Sequence, residues 1–144
     1  MPVDGSLRDR ELSEVLGSVF GMSTAFGQLS GGQLVGVLDA VLDALVAERP
    51  GVATDREQLD LLLASLRVGA RLHAWQARLA ATIDKGDVAW REHSTSTATW
   101  LADAARLTRR EAGRIIATGE ALTRFDVLGD AAVRGEVLPP QRTP

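Results

Sequence analysis

The chain has 144 residues, 16 basic against 19 acidic side chains and no cysteine, which leaves a net charge of −3 at pH 7. That length suits one domain with a sizeable hydrophobic core. The missing cysteine excludes disulfides, thiolate zinc sites and a cysteine nucleophile, and the acidic balance is not that of a protein covered in basic, nucleic-acid-binding surface.

Aromatic residues are few, namely Trp75, Trp90, Trp100, Phe20, Phe26 and Phe125 with no tyrosine, so aliphatic side chains must carry the core. Abundant alanine and prolines gathered near the ends favour helices over strands. The expected fold class is all-α: a helical bundle with one long central helix and a helix-turn-helix-like hairpin. The first residues, MPVDGSLRDRELSEVL, lack a basic start followed by an apolar run. No stretch reaches the ~20 apolar residues of a membrane span. A cytoplasmic protein without a membrane partner is the expectation.

In chain order, residues 6–20 place Leu12, Val15, Leu16, Val19 and Phe20 on one side of a helical wheel. Glycines 17, 21, 27, 31 and 32 interrupt that pattern, and FGMSTAFGQLSGG reads as a connection. Residues 1–32 are therefore expected to be flexible or weakly helical, ahead of a helical domain over 33–138 and a tail over 139–144. A firmer helix spans Gln33 to Glu48, with Leu34, Val37, Leu38, Val41, Leu42 and Leu45 as its apolar face and Arg49-Pro50-Gly51 as its stop.

Thr54 and Glu57 have the spacing of a capping box, opening a helix with no breaker before Lys85 and with Gly86 as its end. Leu61, Leu62, Leu66, Val68, Leu72, Trp75, Leu79 and Ile83 form a broad stripe on it, with Arg67, Arg71 and Arg78 largely off the stripe. Such a stripe serves as core within one chain or, on a helix this long, as the seam of a homodimer through residues 55–85. Leu72 and Trp75 are expected in the core, and Gly69 is expected to mark a close helix contact.

From Ser94 to Gly135 the sequence describes two short helices around a tight turn. Ala98, Trp100, Leu101, Ala104 and Ala105 form the inward stripe of the first, which Leu107 closes. Thr108 stands three residues before Glu111, a second capping box, so the next helix begins near Arg109. Its Ala112, Ile115, Ile116 and Gly119 face inward, while Arg110 and Arg114 share an outward face with Arg106. A helix-turn-helix presents a recognition helix in this way, with its N-terminal residues nearest the bases. An ordinary helical hairpin with a solvated arginine face has the same pattern. Between Thr97 and Arg124, arginines 106, 109, 110, 114 and 124 outnumber Asp103, Glu111 and Glu120, whereas residues 1–90 hold eight basic and twelve acidic side chains. A further short helix runs from Phe125 to Arg134 and ends at Gly135.

Catalytic constellations are missing. His73 within the long helix and His93 in the loop before the hairpin have no HExxH, paired-histidine or metal-spaced carboxylate context. There is no phosphate-binding glycine loop and no GxSxG elbow. Asp39 with Asp43, and Asp84 with Asp87, read as solvated face or helix end. No catalytic residue, metal or cofactor is expected.

One order of segments spans Leu59 to Gln141: a leucine-rich long helix, Ser96 with Trp100-Leu101, Leu107-Thr108 with Glu111-Ala112, Ala121-Leu122, and Ala132 with Gly135-Glu136-Val137 and Gln141. This order closely resembles the N-terminal region of the 13E12 repeat family, actinobacterial proteins built on domain of unknown function 222. The resemblance implies a helical domain that ordinarily precedes an HNH endonuclease module. This chain stops at Pro144 with no His-Asn-His module, so the resemblance carries no catalytic residue over and implies a truncated copy or fragment. The function expected is a non-catalytic, DNA-associating or targeting domain whose phosphate contacts are Arg106, Arg109, Arg110 and Arg114. The alternatives are an interaction or dimerisation module on the long helix, and a gene product that retains no activity.

Overall fold

The computed structural model describes residue 18 and residues 21–22, 24–48 and 54–135, the side chains of 126–129 excepted; among them lie six α-helices with both ends described and no strand. The expected weak helix over 6–20, apart from Ser18, and the tail over 139–144 fall outside the described residues. By their contacts the residues divide into two units, Met1–Val52 and Ala53–Pro144.

In the first unit, α1 (Gly31–Ala47) begins two residues before the point that hydropathy indicates. Ser30 is the reason. Its hydroxyl accepts from the Gln33 amide at 3.3 Å and its own amide donates to Gln33 Oε1 at 2.9 Å, so a capping box carries Gly31 and Gly32 into the first turn. No residue of α1 is buried. The glycine-bearing tract before it, within the segment expected to be flexible or weakly helical, is helical at Gly21, Met22 and Thr24–Phe26.

The second unit contains α2 (Asp55–Lys85), α3 (Val88–His93), α4 (Thr97–Ala105), α5 (Arg109–Arg124) and α6 (Asp126–Arg134). With 31 residues, α2 is about 46 Å long at 1.5 Å per residue. The expected Thr54–Glu57 box starts it: the Thr54 amide donates to Glu57 Oε2 at 2.8 Å, and Thr54 Oγ1 accepts from the Glu57 amide at 3.3 Å. Asp55 and Glu57 in its first turn and Lys85 in its last suit the helix dipole.

The core of this unit is built from alanine. On α2 the buried residues are Ala74, Ala77, Ala80 and Ala81, and on α5 they are Ala112, Ile116 and Gly119. A Cβ placed on Gly119 would overlap the Ala77 carbonyl and stand 2.9 Å from Ala81 Cβ, so α2 and α5 touch backbone to backbone. Contact that close forgoes large side chains and gains dispersion along the crossing instead.

This packing corrects the expected face of α2. At 100° per residue, Leu61, Val68, Leu72, Trp75 and Leu79 lie opposite the buried alanines. Trp75 is 42% exposed and Leu79 44% exposed, and Leu72 is only half-buried. Hydropathy favours the face with the largest apolar side chains, whereas a glycine–alanine crossing needs the smallest. Nor does Gly69 mark a close contact, because nothing lies within 4 Å of a Cβ built there. Gly119 does.

The helix α6 is fastened to α2 through two arginines. Arg71 Nε donates to the Val133 carbonyl at 2.8 Å, and Arg78 Nη1 meets Asp130 Oδ1 at 3.2 Å. Gly135 closes α6 in the left-handed conformation at φ 77°, beside the Arg71 stem.

Candidate nucleic-acid interface

The hairpin α4–α5 forms where its caps predict. Ser96 starts α4 by accepting from the Thr99 amide at 3.2 Å. The side chains that α4 buries are Thr97 and Ala102; Ala98, Trp100 and Leu101 are half-buried, and Ala104 and Ala105, expected to face inward, are exposed. α4 packs against α5, and Ala104 and Ala105 in its last turn are left to solvent.

Arg106 makes the bend that follows. Its φ is +54°, the left-handed conformation that ends many helices and that glycine adopts without penalty. Its amide donates to the Ala102 carbonyl, and the Leu107 amide reaches the same carbonyl at 2.9 Å. Thr108 then caps α5: its amide donates to Glu111 Oε2 at 2.7 Å, its hydroxyl donates to the same oxygen at 2.7 Å, and it accepts from the Glu111 amide at 3.2 Å. The Thr108 amide and then its hydroxyl hold the Glu111 carboxyl below the usual carboxylate range, with slight desolvation opposing and the Arg114 charge assisting. The acid is thereby tied to the cap rather than presented as a free charge.

All four expected arginines, Arg106, Arg109, Arg110 and Arg114, are exposed. Arg110 and Arg114 lie one turn apart on the side of α5 opposite Ala112, Ile116 and Gly119, and Ala117, Thr118 and Ala121 continue that side as an exposed run of small residues. Arg109, the first residue of α5, lies off this face on the side of Ile116 and is exposed at the helix end. Whereas Arg56 pairs with Asp60 and Arg78 with Asp130, none of the four is spent on an ion pair among the described residues. The result is a cationic helix start with a small-residue surface behind it, a shape able to approach a phosphate backbone closely.

The segment before the hairpin differs from the expected loop. It contains α3, flanked by Asp87 at φ 51° and Ser94 at φ 53°, and the Arg91 guanidinium donates to the Gly86 carbonyl. His93 is the last residue of α3 and stacks on Trp100 with ring centroids 5.9 Å apart and planes 12° apart. These two rings, with Ile83, Val88, Ala89 and Glu92, line a shallow, open depression of about 90 Å³. Sequence reasoning missed the stack because each ring follows from a different helix. Among the described residues no group of three or more His, Cys, Asp or Glu is placed to hold a metal ion, and no helix is long and apolar enough to cross a membrane.

Comparison of the chain with family models, with characterised proteins and with solved structures gave no match.

Proposed function

We propose that residues 54–135 form a non-catalytic DNA-associating domain that meets the duplex phosphates through Arg106, Arg109, Arg110 and Arg114. The observation that carries this reading is Arg106. A non-glycine residue in the left-handed region costs roughly 1 kcal/mol, and a helix C-terminus there ordinarily takes glycine. The side chain kept at that cost is a guanidinium, exposed beside three others on a helix start. The order of motifs from Leu59 to Gln141 supports the same reading, since it resembles the helical region that precedes an HNH module in the 13E12 repeat family.

Fluorescence anisotropy with a labelled mixed-sequence duplex, titrated from about 50 to 200 mM salt, tests it. Binding is expected to be weak and to fall steeply with salt, because few phosphates are met and the remainder of the chain is acidic. Absence of binding at the lowest salt overturns the reading.

A second reading, an interaction module on α2, has its own support. Leu59, Leu62, Leu63 and Leu66, together with Leu61, Val68, Trp75 and Leu79 on the other side, leave one helix with exposed apolar surface on two faces.

A further inference from the structure

The face of α2 that is buried in its second half continues through its first half without cover from the described helices of its own unit. Continuing at helical spacing towards the N-terminus from Ala77 and Ala74, the same line passes through Ala70, Leu66, Leu63, Leu62 and Leu59. Ala77 and Ala74 are buried and Ala70 is half-buried, whereas the four leucines are 53–64% exposed. α6 ends beside Arg71, where Gly135 touches the arginine stem, so the helices of this unit stop covering the face at that level. What remains is a leucine strip from the capped start at Asp55 to Ala70.

We infer that this strip is a self-docking surface on which the same strip of a second copy lies antiparallel, centred near Leu62 and Leu63. This deepens the interaction reading of α2 and is independent of the DNA reading. Length is the first argument. The strip of a second copy has the same extent, and in the antiparallel sense its capped N-terminus arrives at Ala70, where α6 begins to occupy the face. Charge is the second. One flank of the strip carries Arg56, Asp60, Arg67 and Arg71 in that order, all exposed. An antiparallel pair sets this flank against the same flank of the partner and brings Asp60 of each copy to Arg67 of the other, twice by symmetry. A parallel pair would set it against the opposite flank, where Asp55, Gln58, Ser65 and Gly69 stand, and would leave Asp60 without a basic partner there. The remaining opposition, Arg56 to Arg71, falls at the two ends of the strip, where the Arg71 Nε is committed to the Val133 carbonyl.

The test uses the full chain, sized by light scattering after gel filtration. A dimer is expected, and Leu62→Glu should convert it to a monomer with its helical circular dichroism unchanged, since Leu62 is exposed on its own unit. Asp60→Arg and Arg67→Asp should each weaken the dimer, and the two together should restore it. Because the chain has no cysteine, orientation is read directly. Leu59→Cys and Leu66→Cys chains, mixed and oxidised, should form the mixed disulfide in preference to either homodisulfide. A monomer at every concentration overturns the strip and the self-association reading of α2 together. A dimer that survives Leu62→Glu and is broken by Trp75→Glu overturns the strip alone, as does preferential formation of the two homodisulfides.

Discussion

Gly119 and Arg106 are the residues at which backbone geometry says most. Gly119→Ala drives a methyl into the Ala77 carbonyl, a clash with main chain that no rotamer change relieves. It should destabilise by about 1–3 kcal/mol, read as a fall in thermal midpoint. Gly69→Ala adds the same methyl to open space within a helix and should stabilise by about 0.5–1 kcal/mol in the same measurement. The opposite signs of one substitution at two helical glycines test the crossing directly. Arg106→Gly relieves a left-handed φ and should raise the midpoint while weakening duplex binding. A variant that gains stability and loses no affinity would reduce Arg106 to an ordinary turn residue.

At the level of the helix, the caps and the face are separate matters. Thr108→Ala removes both side-chain bonds of the threonine that starts α5 and should cost about 1 kcal/mol by chemical denaturation. The same box makes the start of α5 sensitive to acid. Glu111 titrates lower in the folded chain than in the unfolded one, so its contribution is complete above the ordinary carboxylate range and disappears as pH falls through the lowered folded value. Glu111→Gln should therefore flatten the acid side of the plot of thermal midpoint against pH, leaving neutral-to-basic pH without a slope of its own. On α2, Leu72 is half-buried on the face away from the alanine crossing. Leu72→Ala should accordingly cost about 1 kcal/mol, roughly half the transfer energy of a fully buried leucine. A loss of several kcal/mol would place this face, rather than the alanines, in the core.

For the molecule as a whole, affinity for a polyanion depends on how few arginines oppose an acidic remainder. Each phosphate neutralised adds about −0.9 to the slope of log affinity against log salt. Arg110→Ala with Arg114→Ala should therefore flatten the slope by roughly 1.8 while circular dichroism stays constant. The self-docking strip and the arginine face lie on different elements, which separates the two readings. Leu62→Glu should leave the salt slope per chain unchanged even where it abolishes the dimer. Two copies held together would present two arginine faces to one duplex, so the dimer should bind more tightly than the Leu62→Glu monomer at equal chain concentration.

Helix boundaries in this chain are written locally. The Thr54–Glu57 and Thr108–Glu111 boxes, the stop at Lys85-Gly86 and the end at Gly135 were legible because a cap is satisfied by residues three apart, whatever the rest of the chain does. The all-α class and the exposure of Arg106, Arg110 and Arg114 follow from the same local periodicity. Ser30 starts α1 by an equally local signal, a Ser-x-x-Gln box, whereas α3 is a six-residue helix set between two left-handed residues, too short for apolar periodicity to show. Which face of α2 is core was not local at all. Leu61, Val68, Leu72, Trp75 and Leu79 make the side of larger side chains at this level, yet the alanine side is buried, because the partner brings Gly119 and only small residues let two backbones meet. Hydropathy ranks the faces of one helix in isolation; the shape of the second helix decides between them.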